Sequence, residues 1–305
     1  MSVGPPNPDP TTAAFPVQRF RDVRFQGAPT CPRCGHAHVQ RWGRFGWRQR
    51  YRCMGCRRTF SDFTGTPLAY LKHVERWPVF CRQFPRALTV RRTAALLDVH
   101  VSTSFRWRHR LLGSLRENER GRLSDRVSVD LAWLPYSEKG ARPPADRSLA
   151  APNESIRRRA WVVVACDPSG ASFARHVGEI RPGWKQLGKV LGGRIEKGSR
   201  LLYRVNQRLR IAPLARCFGL GSENERAAST GPRRDPERAR VWLARYRRWA
   251  QRFRGTATRY LDNYLTWFRL VDIAKERVRP RRELDVVLAG RFPDPGGFRA
   301  GRIPG

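Results

Sequence analysis

Four cysteines in the first fifth of the chain have the spacing of a metal site. Cys31-Pro-Arg-Cys34 and Cys53-Met-Gly-Cys56 are two Cys-x-x-Cys pairs separated by eighteen residues. Each pair suits a tight knuckle that turns two thiolates to one side. Two knuckles complete the closed tetrahedral four-sulfur geometry of structural zinc. Two disulfides, or unpaired core thiols, are the alternatives. Disulfides need an oxidising compartment, and the first residues carry no charged-then-apolar secretion signal. His36 and His38 flank the first knuckle and could replace a cysteine. With four cysteines at hand they read as solvated hairpin residues or phosphate contacts. Residues 38–52 alternate bulky and polar side chains around Gly43 and Gly46, as a hairpin would. The expectation is a zinc ribbon over 17–68, with metal binding supplying folding energy on the order of 10 kcal/mol.

A second set of residues suits polyanions. Lys and Arg number 61 against 25 Asp and Glu, a net charge of +36 in 305 residues, and only six of the cations are Lys. Such a charge repels itself in a compact fold and calls for a counter-charged polymer. Arg pairs bidentately with phosphate and guanine, so nucleic acid is the default partner. A GC-rich coding bias explains Arg over Lys, but not the excess over acids. No apolar run reaches membrane-spanning length, and the seven cysteines fit a reducing cytoplasm, with nucleoid association following from the charge.

The elements that position these residues follow from periodicity. Residues 1–16 read as a disordered leader, and Phe15, Phe20, Val23 and Phe25 as a short helix against the ribbon. Trp77, Phe80, Cys81 and Phe84 mark one face of a helix. Thr89 suits the cap of a second helix, 90–97, burying Ala94, Ala95 and Leu97. After the turn Asp98-Val99-His100, Ser102 suits the cap of a third, 103–115, with Phe105, Leu111 and Leu112 inward. Two short helices around a tight turn make a helix-turn-helix over 72–116. Its last helix would enter the major groove, with Arg91, Arg92, Thr103, Ser104, Arg106, Arg108, His109 and Arg110 toward DNA. An ordinary helical hairpin with a solvated basic face is the plain alternative.

Residues 116–125 read as a charged linker, after which the period drops to two. Val127, Val129, Leu131 and Trp133 alternate with Ser128, Asp130 and Ala132. A second strand, 160–165, and a third, 172–177, complete a meander around the turn Asp167-Pro168-Ser169-Gly170. A loop at 139–157, a helix at 184–191, a short strand at 201–205 and a loop at 221–236 follow. Asp235 and Pro236 open a long helix, and a second runs over 260–278. A basic tail, 279–305, holds one candidate element at 284–288. The fold class expected is α+β and multidomain: zinc ribbon, helix-turn-helix, then a mixed sheet with helices.

Taken together, the paired Cys-x-x-Cys motifs, Arg57-Arg58-Thr59-Phe60-Ser61-Asp62-Phe63-Thr64-Gly65-Thr66-Pro67-Leu68, and the helix Phe105–Leu112 resemble the front half of bacterial insertion-sequence transposases of the zinc-ribbon, DDE type. Val129-Asp130, the strand and turn 161–170, and Arg252-Phe253-Arg254-Gly255-Thr256 through Leu265 are similar to its back half. The resemblance covers about 20–275 and is weakest over 180–240. It implies an RNase H-like domain over 126–278 and double-stranded DNA as partner, at terminal inverted repeats and as a homo-oligomer on DNA. The implied chemistry is two-metal phosphoryl transfer with Mg²⁺. It also makes Asp130 the first catalytic acid. Here the chain departs from the pattern. Leu131 follows Asp130, Val205 and Asn206 stand at the end of the short strand, and Arg240 and Leu243 stand on the last long helix. Val, Leu and Arg do not hold Mg²⁺. Asp167 reads as a turn former, Glu237 as a carboxylate favoured at a helix start, and Glu179 and Glu196 lie outside any motif. The expectation is an intact DNA-binding half, a structural Zn²⁺ and an eroded catalytic half. Mg²⁺ would bind only if activity survives. A repressor or transposition inhibitor, and a non-specific basic nucleic-acid-binding protein, are the alternatives.

Overall fold

A computed structural model describes residues 17–46, 48–117, 121–138, 158–224, 237–253 and 255–276. The expected leader, the 139–157 loop, the Asp235-Pro236 helix opening and the basic tail lie outside these residues. The chain divides into two compact units, one holding the described residues 17–117 and the other 121–276.

The first unit opens with helix α1 (Val17–Phe25) and an antiparallel sheet, β1 (Val39–Phe45), β2 (Arg48–Cys53) and β3 (Thr59–Ser61). Val39 pairs with Cys53 and Phe45 with Arg48, so β1 and β2 are the expected hairpin. Its tip turns at Gly46, whose φ of 57° suits a residue without Cβ. Tyr51 and Phe60 stack at 5.2 Å over Cys31 and Cys53, and Phe25 of α1 meets the Tyr51 ring edge-on. The expected helix against the ribbon therefore forms.

Three helices follow: α2 (Trp77–Gln83), α3 (Val90–Leu96) and α4 (Val101–Glu117). Thr89 caps α3 as expected, its side chain accepting from the Arg92 N–H. The start of α4 differs. The helix begins at Val101, and the His100 carbonyl accepts from the N–H groups of Thr103 and Ser104. His100 Nδ1 also takes the Ser102 N–H at 3.3 Å, so His100 is the cap and Ser102 lies inside the helix. An imidazole that accepts a backbone N–H does what a hydroxyl does there. The aromatic buried on α4 is Trp107, whose ring lies 5.4 Å from Trp77 and 5.8 Å from Phe80. Phe105 is only half-buried, 4.3 Å from the His109 ring, and Ala95 is exposed.

The second unit is a five-stranded mixed sheet in the order β6-β5-β4-β7-β8. Its strands are β4 (Arg126–Pro135), β5 (Arg159–Cys166), β6 (Ser172–Gly178), β7 (Arg200–Tyr203) and β8 (Gly221–Asn224). The first three are antiparallel, whereas β7 joins β4, and β8 joins β7, in parallel. Strand β8 replaces the start of the loop expected at 221–236. A helix not expected from periodicity, α6 (Arg208–Cys217), supplies the crossover between β7 and β8. Such parallel neighbours require a crossover connection. The expected linker also ends earlier: Leu123 is buried and bridges to Ile195, joining the sheet.

Alternation along β4 splits its side chains between two layers. Val127, Val129 and Leu131 enter a core with Leu187 and Leu191 of α5 (Trp184–Leu191) and with Ile211 and Leu214 of α6. Ser128 and Asp130 take the opposite face, toward α7 (Arg238–Ala250). There the Ala239 N–H donates to Ser128 Oγ. α8 (Leu261–Glu276) packs on the same side, where the His176 N–H donates to Asp262 at 2.7 Å.

Candidate metal centre and nucleic-acid interface

The four expected cysteines converge. All four sulfur atoms lie within 4.8 Å of one another, with Cys31 and Cys56 at 3.7 Å and Cys34 and Cys53 at 3.5 Å. A tetrahedral zinc–thiolate site has sulfur separations of about 3.8 Å, so the cluster fits a structural metal such as zinc. Each knuckle is closed by a backbone N–H donor: Gly35 N–H to the Cys31 carbonyl, and Cys56 N–H to the Cys53 side-chain Sγ at 3.4 Å. The Cys56 N–H lowers the Cys53 thiol to about 7, a thiolate ready for a cation. Burial pushes Cys31 up to about 11, so a metal must offset the desolvation of that thiolate. His36 and His38 are exposed.

Asp62, inside the Arg57–Leu68 segment, has a structural role that spacing alone does not reveal. Its carboxylate is fully buried and takes a bidentate pair from Arg21 of α1 at 2.8 and 2.9 Å. It also accepts from Tyr51 OH at 3.0 Å and from the Gln49 N–H. Burial, with the Asp62 charge beside it, pushes the Tyr51 phenol up to about 12. A buried acid between a charged pair and a hydrogen-bonding aromatic, with an Arg forty-one residues upstream, is visible only in three dimensions.

The residues expected to face DNA separate into two groups. Arg91, Arg92 and Arg106 are exposed on α3 and α4, and Thr103 is half-buried near the start of α4. Ser104 is fully buried and donates to the Val90 carbonyl at 3.1 Å, tying α4 to α3. Arg108 is 1% exposed and donates to the Leu88 carbonyl at 2.6 Å and to Thr93 Oγ1. It cannot reach a base edge from there. Arg110 donates to the Ala69 carbonyl at 2.7 Å, and burial lowers its guanidinium. His109 lies half-buried against Phe105. The ribbon adds exposed cations that the expectation did not single out. Arg41 and Arg44 sit on β1 with Trp42 and Phe45, and Arg52 lies over the Trp42 ring at 4.5 Å.

In the second unit Asp130 is 4% exposed. Its carboxyl group accepts from Gln207 Nε2 at 2.5 Å, and the same amide reaches the Leu131 carbonyl at 3.3 Å. Gln207 follows β7 in a single helical turn, Val205–Gln207. Val205 itself is 55% exposed. Helix α7 crosses β4 between Ala239, which donates to Ser128, and Arg247, which donates to the Trp133 carbonyl at 2.9 Å. Trp242 and Leu243, both buried, fall between these two contacts. Among the described residues, no group of three or more potential metal ligands includes Asp130. Asp167 makes its own turn, accepting from Ser169 and Ala171, and also from the Ser124 N–H. Glu237 pairs with Arg240 at 2.5 Å, and Glu179 with Arg158 at 2.8 Å. The described residues around Asp130 thus do not supply the several acidic ligands that a two-Mg²⁺ site requires.

The chain is similar to an uncharacterized protein in transposable element ISH50 of Halobacterium salinarum, 30% identical over 133 residues. The alignment covers 42% of this chain and 45% of that protein, so the chain spans less than half of its relative's length. No family model matches, and no solved structure matches. No helix among the described residues is long and apolar enough to cross a membrane.

Proposed function

We propose that this chain is a DNA-binding protein of transposase descent that holds element-end DNA and does not cut it. The observation that carries this reading is the Gln207 amide on Asp130, where strand transfer would need a second carboxylate and two metal ions. Asp130 is then the remaining acid of a former site. The sheet order supports an RNase H-like ancestry for the second unit: three antiparallel strands, then two parallel ones beside β4. The likeness to a protein of a transposable element supports the same origin.

The DNA-holding half is the zinc ribbon, 17–68, with α3 and α4 as a helix-turn-helix within 72–116. Arg106 is its base-reading candidate, Thr103 stands beside it, and Arg91 and Arg92 are phosphate contacts. Arg108 and Ser104 position α4 rather than touch DNA. A DNA-binding remnant of this kind competes for element ends and acts as a repressor or inhibitor of transposition.

The test is a cleavage and strand-transfer assay on a labelled element end with Mg²⁺ or Mn²⁺, beside Asp130→Ala. No cleavage together with a zinc-dependent footprint is expected. Cleavage that disappears in Asp130→Ala would overturn the reading.

A further inference from the structure

We infer that the sheet unit carries a stacking platform for an unpaired DNA strand, separate from the ribbon and helices of the proposed duplex site. It lies at the end of β4 and β5. Trp133 and Trp161 are directly opposed across these strands, on one face of the sheet. The Arg159 guanidinium lies over the Trp133 ring at 4.8 Å, and that of Arg181 over the Trp161 ring at 5.4 Å. The row across the face thus reads Arg181, Trp161, Trp133, Arg159.

Packing accounts for Trp161, which is partly buried against the core of the sheet unit, but not for Trp133. Trp133 remains 43% exposed with Arg159 upon it, whereas Trp242, Trp249 and Trp267 of α7 and α8 are buried. An indole left in water beside a cation is a surface for a second flat group, and a base supplies one. Charge points the same way. The two nearby acids, Glu138 and Glu179, are both taken by Arg158, and that pairing raises the Arg158 guanidinium and lowers Glu179. Among the described residues, Arg159 and Arg181 have no carboxylate partner. Arg247 of α7, which packs on the other face of the sheet, meets the Trp133 carbonyl at the same strand end. Aromatic faces interleaved with unneutralised guanidinium groups fit bases and phosphates of a single strand. The choice of DNA rests on the proposed function.

The test uses the full chain and two labelled probes, an oligo(dT) of about twenty nucleotides and a duplex element end. Trp133→Ala is expected to weaken strand binding roughly tenfold and leave the duplex footprint unchanged. Trp133→Phe is expected to restore most of the strand affinity. Arg159→Ser and Arg181→Ser should each flatten the salt dependence of strand binding by about 0.7 in log–log slope. Cys53→Ser should lose the duplex footprint and keep the strand. Equal strand binding by Trp133→Ala and parent would overturn the inference, as would loss of the strand in Cys53→Ser. Oligo(U) bound more tightly than oligo(dT) would overturn the assignment to DNA. If the parent gives no duplex footprint, the proposed function fails while the strand probe still judges this one.

Discussion

The Gln207 amide and the Asp130 carboxyl group meet at 2.5 Å within the buried layer between β4 and α7. An amide is the size of a carboxyl group and donates where a carboxylate would repel. Asp130 is satisfied without a cation for that reason. Replacing Gln207 with Leu removes the donor and leaves a buried carboxyl group unpartnered. A loss of about 1–3 kcal/mol is expected, read as a lower urea midpoint at unchanged slope. Gln207→Glu sets two acids against one another, and Mn²⁺ should then raise the melting temperature of this variant but not of the parent.

Zinc content is the direct check on the ribbon. One equivalent of zinc per chain is expected from atomic absorption, falling to none in Cys53→Ser. Removal by a strong chelator should abolish the Tyr51–Phe60 packing, because thiolates held within 4.8 Å of one another repel without a cation. A chelated protein that keeps its ribbon fold would show that the core alone sustains it.

Arg21 and Asp62 join α1 to the ribbon. Asp62 is fully buried, and Arg21 retains 27% of its side-chain exposure. Breaking a fully buried pair costs about 3–5 kcal/mol, and the partial exposure of Arg21 reduces that to about 2–3 kcal/mol. Asp62→Asn should lower stability by this amount with zinc still bound. In a double-mutant cycle with Arg21→Met, the coupling should be favourable; strict additivity would show that the pair does not hold the helix.

Alkaline pH tests the same cluster. Tyr51 is raised to about 12 by burial and Asp62, above the ordinary phenol value. In the unfolded chain it ionises near 10. Its contribution is therefore fully present below about pH 10 and declines as pH rises toward about 12, because the unfolded state loses its proton first. Burial raises Tyr246 in the same direction. The steeper fall of melting temperature in the parent than in Tyr51→Phe isolates the Tyr51 share.

Arg106 and Arg108 should behave as opposites. Arg106→Ser is expected to cost about 1–3 kcal/mol of DNA binding and to relax sequence preference at one position, measured by footprinting on variant sites. Arg108→Ser should instead lower thermal stability, since it removes the bonds to Leu88 and Thr93.

The contrast between these two arginines shows where periodicity and spacing stop. The metal site was fully legible, because a Cys-x-x-Cys knuckle is local and two of them define a ligand set. Three strands were legible to within a residue or two at each end: the first through alternation, the second as the continuous apolar run 160–165, and the third by its return after the turn. Arg108 was not, because its helix position gives direction only once Thr93 and Leu88 are known to lie beside it. Strand β8 escaped notice since Gly-Ser-Glu-Asn has no apolar alternation; parallel pairing to β7 alone makes it a strand. Helix α6 contains Pro213, which argues locally against a helix and is outweighed by burial of Ile211 and Leu214. Gln207 carried no signal at all: a glutamine becomes informative only when its amide is found on an acid seventy-seven residues away.

Strand β4 outruns β7, which pairs with it only as far as Ser128. Beyond that point the carbonyls of Leu131 and Trp133 look out from an open sheet edge, and Gln207 and Arg247 cover them in turn. Bare carbonyls in a row are an invitation for another chain to add a strand. These two side chains therefore serve as a guard against self-association. Removing both should leave a protein that still folds but precipitates with concentration.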